Sequence, residues 1–214
     1  MSVHVVPAED TDMDRIFELA CLAFGRDDHM WNAMWPKHWT EKGRKDGAER
    51  MRHSKNTDPN TVYLKAVNLT SGEIMGMAKW NFYVNGASPP SAEVSAHYWD
   101  DPRGKEYFDK VLPLFVARRN EAVQRTGGNV VSLDILAIDP AHQRKGVGDA
   151  LVKWGVKKAD ELGLESVVES SPFGRGLYAK NGFVFQEDCK LEVPEFPDHP
   201  PPEFAWMTRP KQTT

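Results

Sequence analysis

An apolar run ending Leu136-Ala137-Ile138-Asp139-Pro140 leads into Gln143-Arg144-Lys145-Gly146-Val147-Gly148, and that turn opens an amphipathic helix. Strand, glycine-bearing turn and helix N-terminus in this order constrain the chain more than any other feature, because together they make a cradle for a pyrophosphate. Backbone N–H groups in the first turn of a helix have no intrahelical partner, and the helix dipole adds partial positive charge at the same place. Glycine lets phosphate oxygens approach the backbone where a Cβ would obstruct them. Arg144 and Lys145 add cations beside it. The turn predicts a phosphate-bearing ligand.

Two common phosphate motifs fit it poorly. A P-loop needs Gly, four residues and then Gly-Lys-Ser/Thr, and the sequence has no such run. A dinucleotide fingerprint wants a third small residue three positions after Gly148, where Leu151 stands. Its acidic ribose partner would be Glu169, roughly 20 residues on, but that fingerprint normally opens a domain and here it comes late.

The rest of the chain reads as strands and helices in mixed order. His4–Pro7 is a short strand edge, and a helix starts near Thr11 and Asp14, with Ile16, Leu19, Ala20 and Ala23 at helical spacing. His29 to Lys55 is charged and tryptophan-bearing, one or two helices broken near Pro36. Thr61–Leu69 and Glu73–Val84 form a hairpin around Thr70-Ser71-Gly72. Gly86–Gly128 is a long insertion before the fourth strand, a polar loop and then a helix through Tyr107, Phe108, Val111, Leu112 and Phe115 despite Pro113. Then come a strand (Val130–Ile138), a helix (Val147–Leu162) closed by Gly163, a strand (Leu164–Ser170) and a short helix (Gly174–Asn181) stopped by Gly182. An extended segment (Phe183–Val193), a proline-rich connection (Pro194–Pro202) and a last strand (Phe204–Met207) complete the chain. The expected fold class is α/β, a central twisted mixed sheet flanked by helices, in one domain spanning residues 1–214.

Charge and cysteine narrow the setting. A net charge of -4 gives no basic face for nucleic acid or an anionic membrane, and no apolar run is long enough to span a bilayer. Met1-Ser2-Val3-His4 lacks a secretory signal pattern, and Cys21 and Cys189 lie far apart without metal-ligand spacing, so a cytoplasmic protein with free thiols is expected. No His/Cys/Asp/Glu cluster has ligand spacing, so no metal is expected.

Ile138-Asp139-Pro140, two residues, then Gln143 through Gly148 resembles the first signature of the GNAT superfamily of acyl-CoA-dependent N-acyltransferases, V-x-P-x-x-R/Q-x-x-G-x-G/A. Leu177-Tyr178-Ala179-Lys180-Asn181-Gly182-Phe183 resembles its second, a short helix bearing Tyr before an N-G-F stop. Two motifs in the right order are far more specific than a lone G-x-G. They cover roughly Val130 to Gln186, and this half resembles uncharacterised fungal members most.

The resemblance implies acetyl-CoA as donor, with its pyrophosphate on the backbone of Gln143, Arg144, Lys145, Gly146, Val147 and Gly148. The backbone of Leu136, Ala137 and Ile138 would pair with the pantetheine arm, while the Leu136 and Ile138 side chains are plain core. Tyr178 maps onto the general acid that protonates the leaving thiolate, and Asn181 caps its helix or orders the acetyl-CoA arm. The general base is more open. Alternation along the strand puts Val131, Leu133 and Ile135 on an apolar side and Ser132 and Asp134 on the other. Some members carry a glutamate where Ser132 stands, and Asp134 on the same face is its substitute here. Glu169, Ser170, Glu93, His97 and a water chain are the alternatives.

The reaction implied is direct acetyl transfer to a primary amine of a small molecule in a ternary complex, the enzyme being a monomer or homodimer. The rival is a non-catalytic acyl-CoA-binding or ligand-sequestering protein on the same fold. For the acceptor, Trp31, Trp35 and Trp39 recur at four-residue intervals. They either pack the first helices onto the sheet or, with Trp80 and Trp99, form an aromatic wall suited to an aryl amine or a cation. The first half of the insertion would cover that pocket.

Overall fold

The hairpin expected around Gly72 builds the first half of the sheet. In the computed structural model, which describes residues 2–89 and 98–212, β1 (Val3–Pro7), β2 (Thr61–Asn68) and β3 (Ile74–Tyr83) are joined antiparallel to β4 (Val130–Ile138). Beyond it lie β5 (Ser166–Ser170), β6 (Val184–Lys190) and β7 (Glu203–Arg209), giving the order β1-β2-β3-β4-β5-β7-β6 with only β4 and β5 parallel among the described strands. The helices are α1 (Met13–Phe24), α2 (His29–Met34), α3 (Glu41–Thr57), α4 (Pro102–Phe115), α5 (Ala117–Arg125), α6 (Val147–Leu162) and α7 (Arg175–Lys180). This is the mixed α/β architecture expected from the sequence. Glu93 and His97 lie outside the described residues, as does part of the loop expected to cover the pocket.

Each face of the sheet is covered because each carries an apolar stripe. Val147, Leu151, Val152, Val156 and Ala159 recur on one side of α6 and pack with Leu64, Ala78, Trp80, Val131 and Leu133. On the other face α1 buries Met13, Ile16, Phe17 and Ala20 against Met77, Ile135 and Ala137. The polar α3 still packs there, since Thr40 caps its N-terminus and Gly47 lets the Phe17 ring lie against its backbone. Tyr107, Val111, Ala122 and Val123 from α4 and α5 close the same side of the sheet with Val130, Val167 and Trp206.

Gly155 of α6 shows how tightly the first layer is fitted. A Cβ there would lie 2.1 Å from the Trp80 ring, which is fully buried. Gly155→Val should cost about 1–3 kcal/mol through overpacking, read as a lower urea midpoint at unchanged slope. An unchanged midpoint would mean that α6 can shift away from β3.

The alternation expected along β4 breaks at one residue. Register runs from Trp80↔Leu133 directly to Lys79↔Ile135, so Asp134 is the extra residue of a β-bulge. Val131 and Leu133 face α6, but Ile135 and Ala137 face α1, while Leu136 and Ile138 turn toward α6. The expected single apolar side through Val131, Leu133 and Ile135 is therefore wrong at Ile135, because one inserted residue shifts the period-two phase.

β4 and β5 also part company there. Their pairing runs from Val131↔Ser166 to Leu133↔Val168 and ends. β5 continues along β7, with Glu169 opposite Trp206 and Ser170 opposite Ala205. Ile135 to Ile138 stays paired with β3 alone, and the gap between the two strands is a fork open to both layers.

Candidate active site

The glycine turn has the backbone geometry an anion cradle needs. A single 3-10 turn at Pro140–His142 is held by Asp139, whose Oδ1 accepts the Ala141 N–H at 2.9 Å and whose Oδ2 accepts from Arg15 of α1 at 2.7 Å. Arg144 (φ 60°) and Gly146 (φ 86°) are both left-handed, and α6 begins at once with Val147. Left-handed residues interspersed in such a turn curl successive N–H groups toward one point. A Cβ on Gly146 would meet nothing within 4 Å, so the space above the turn is open. Gln143 and Lys145 bond back to the carbonyls of Ile138 and Ala141, and His142 is half-buried with Nε2 3.0 Å from Glu73.

A carboxylate at the start of α6 is neutralised. Asp149, in the first turn of α6, bonds Lys153 at 2.8 Å, Lys180 at 3.1 Å and the Asn181 amide at 3.0 Å. The Lys153 contact leads in holding its carboxyl down at about 2, with Asn181 and Lys180 assisting against burial. A carboxyl depressed by folding stabilises above its unfolded value and loses that contribution as pH falls through the folded one. Asp149→Asn should therefore flatten the stability loss between pH 4 and pH 2 in urea titrations. An unaltered slope would mean the cations are held as tightly in the unfolded chain.

The fork leads into a cleft of about 590 Å³. From β4 it is lined by Leu133, Asp134, Ile135 and Leu136, from β5 by Val168 and Glu169, and from α7 by Tyr178. Ala137 and Ile138 continue the same free strand edge. Tyr178 is almost fully buried and meets Phe183 edge-on at 5.7 Å. Burial, then the negative charge of Glu169, pushes its phenol far above the usual range. Asn181 donates to the Leu177 carbonyl at 2.9 Å as well as to Asp149, so it ties the end of α7 to the start of α6.

Opposite Tyr178 lies an ion network that spans the fork. Arg119 of α5 donates through Nε and Nη2 to the two oxygens of Glu169, at 3.1 and 2.7 Å, and through Nη1 to Asp134. Lys79 of β3 reaches the other Asp134 oxygen at 2.6 Å. Burial works against ionising Asp134, but Arg119 and then Lys79 outweigh it and hold the carboxyl well below its usual range. Glu169 is pushed up, because it is more buried and has the shared guanidinium alone.

Of the aromatic wall, the structure brings only Trp31 to the cleft. It stands there with Phe24, Met30 and Met34, facing Phe115 at the end of α4 and Phe204 of β7. Trp35 is buried beneath the Arg50 guanidinium at 4.1 Å, Trp39 lies on the surface near Arg26, and Trp99 stacks on Phe108. Trp80 faces α6 on the opposite side of the sheet. Asp27 and Asp28 bring carboxylates to the cleft, Asp28 also capping α2 through the Trp31 N–H, and Pro200–Pro202 close its far wall.

Arg119, Lys79 and Phe204 are site residues the sequence reading missed. The signal for Arg119 was its place on the same helical stripe as Ala122 and Val123. Lys79, Asp134 and Glu169 are charges in strand interiors, which rarely occur without partners. A second hollow, of about 440 Å³ beside β6 and β7, carries Arg118, Arg125 and Arg209, and each is paired with a carboxylate. Among the described residues no group of three or more His, Cys, Asp or Glu could hold a metal ion, and no helix is long and apolar enough to cross a membrane.

Residues 28–183 match the model of the acetyltransferase (GNAT) family. Among solved structures, the fold is similar to a mosquito arylalkylamine N-acetyltransferase like 5b, with TM-score 0.68 and 15% identity over 97% of this chain and 99% of that one. It is similar to arylalkylamine N-acetyltransferase 2 from Aedes aegypti, with TM-score 0.63 and 19% identity over 98% and 99%. A phosphinothricin acetyltransferase from Sinorhizobium meliloti, in complex with AcCoA, aligns with TM-score 0.56 and 16% identity over 99% and 89%.

Proposed function

The chain belongs to the acetyltransferase (GNAT) family and is an acyltransferase, and on that premise we propose that it moves an acetyl group from acetyl-CoA to a primary amine of a small molecule, by direct attack in a ternary complex. The observation that carries this reading is the fork. Its free strand edge runs from a cleft lined by the buried Tyr178 at one end to the glycine turn that opens α6 at the other.

Acetyl-CoA supplies an acyl group activated as a thioester. The backbone of Gln143 to Gly148 holds its pyrophosphate, with Arg144 and Lys145 alongside. Leu136, Ala137 and Ile138 offer their free edge to the amides of its arm, as a missing strand would. A backbone N–H near Ile138 polarises the thioester carbonyl. Asn181 fixes the end of α7, and Tyr178 gives the leaving sulfur a proton. Asp134 faces the cleft with its carboxylate claimed by two cations, which makes it a weak proton acceptor and a fixed partner for Lys79 and Arg119.

The acceptor enters from the side of α1 and α2. Phe24, Trp31, Phe115 and Phe204 favour an aryl or hydrophobic body, and Asp27 and Asp28 favour a cationic amine. The likeness in fold to arylalkylamine N-acetyltransferases agrees with that choice. Two free thiols suit a reducing cytoplasm. The test is release of coenzyme A thiol from acetyl-CoA with 2-phenylethylamine, spermidine and glucosamine as acceptors. Phenylethylamine should give the highest kcat/KM. No thiol release above the amine-free rate with any of the three would remove the reading.

A further inference from the structure

The two carboxylates at the fork are not equivalent, and the difference assigns them separate work. Resting on the acetyl-transfer reading, we propose that Glu169 is the catalytic residue that accepts the amine proton, and that Arg119, reaching in from the insertion, is the positioning residue that holds it across the fork from Tyr178.

Geometry carries this first. Arg119 makes two bonds to Glu169 and one to Asp134, so it fixes the orientation of both carboxylates on either side of the strand divergence. Asp134 has a second cation, Lys79, at 2.6 Å, whereas Glu169 has no other cationic partner among the described residues. When two carboxylates share one guanidinium, the proton goes to the one with less remaining positive charge. Glu169 is also the more buried, its side chain 2% exposed against 18% for Asp134. Both effects act in one direction. Each Glu169 oxygen keeps a lone pair beyond the one used by Arg119.

The groups around Glu169 come from every neighbouring element. Arg119 of α5, Asp134 of β4, Tyr178 of α7 and Cys189 of β6 act on it directly, while Lys79 and Tyr83 of β3 act on its neighbours Asp134 and Arg119. Lys190, Glu203, Asp27, Asp28 and His29 stand around the same cleft. Within the ion network, Lys79 and Arg119 are held charged by their carboxylate partners and Asp134 by its two cations, and Glu169 is the member whose charged form burial opposes most effectively.

The proton balance closes. An ammonium acceptor gives one proton to the Glu169 carboxylate, and the free amine attacks the thioester carbonyl. The C–N bond forms and the C–S bond breaks. The sulfur takes the Tyr178 proton, and the nitrogen, losing its second proton as the amide forms, returns one to the phenolate. Glu169 then releases its proton to water, so the sum is amide, thiol and one free proton.

The test follows Glu169 itself, by carboxyl-carbon NMR of protein labelled at Glu and Asp. One glutamate should titrate above the ordinary value, vanish in Glu169→Gln, move down in Asp134→Asn and move up in Arg119→Lys. In acetyl transfer the acidic limb of kcat/KM should follow the same three shifts. Glu169→Gln should lower kcat by about 10²–10⁴-fold, with acetyl-CoA affinity unchanged. Arg119→Lys should lower kcat more than it raises the amine KM, a split that simple loss of packing would not give. Near-UV circular dichroism checks each fold, and Asp134→Asn reads the coupling if Arg119→Lys does not fold. A glutamate at or below the ordinary value, or an acidic limb that survives Glu169→Gln, overturns the proposal. Failure of the acetyl-transfer reading itself would instead appear as wild-type protein that releases no coenzyme A thiol with any amine, whatever its glutamate titration.

Discussion

Tyr178→Phe is expected to lower turnover by about 10²–10⁴-fold while acetyl-CoA binds as before. The ring is held by Phe183 and by the turn at Gly174, where a Cβ would come within 2.7 Å of it, so Phe should keep the packing and remove only the hydroxyl. The phenol is protonated at every pH the enzyme meets, because burial and then Glu169 oppose its ionisation. It is therefore always available as a donor. Complete transfer of so firmly held a proton is helped when Glu169 becomes neutral, since that removes the second of the two causes. Steady-state kcat beside calorimetric acetyl-CoA affinity checks this. Unchanged kcat would take Tyr178 out of the chemistry, and lost binding would make it a structural residue. A non-catalytic binding protein would have no turnover to lose.

Gly146→Asp should weaken acetyl-CoA binding by about 100-fold, at a conformational cost to stability of about 1–2 kcal/mol for a left-handed residue. Its carboxylate would stand where phosphate oxygens are expected, and two charges about 4 Å apart repel by about 1–4 kcal/mol between bulk water and a protein surface. Aspartate tolerates left-handed backbone better than most residues, and a Cβ at this position meets nothing within 4 Å. Gly146→Ala separates the terms, because it keeps the conformational cost and omits the charge. Equal affinities for the two variants would mean that the pyrophosphate does not lie over this turn.

How far the sequence reaches can be seen residue by residue. α6 starts at Val147 and ends at Leu162, as its apolar stripe and Gly163 predict, and β4 spans Val130–Ile138 as expected. Local chemistry sets those limits, so a local reading finds them. The N-terminal helix is subtler, because Glu9 and Asp12, not Thr11 and Asp14, form the reciprocal cap, on a 3-10 turn that precedes α1.

The bulge at Asp134 lay beyond reach, since nothing in the order Leu133-Asp134-Ile135 distinguishes an extra residue from an ordinary alternation. It matters because it sets where the strand faces swap and where the fork carries its charge. Arg119 was hidden for a different reason. Its partners are 15 and 50 positions away, and only the tertiary fold brings α5 over the fork. Of the two readings of the tryptophans, packing of the first helices onto the sheet holds for Trp31 and Trp35, buried with Phe17, Met77 and Ile135, while the chain turns at Lys37 (φ 57°) and leaves Trp39 exposed.

Calorimetric titration with acetyl-CoA, alongside coenzyme A, NAD and ATP, tests the central claim most directly. The fork, the cradle and the family together predict micromolar binding of acetyl-CoA and its product coenzyme A, with NAD and ATP far weaker. Binding of NAD or ATP with neither acetyl-CoA nor coenzyme A would contradict the account and make the Gln143–Gly148 turn the seat of a different phosphate ligand.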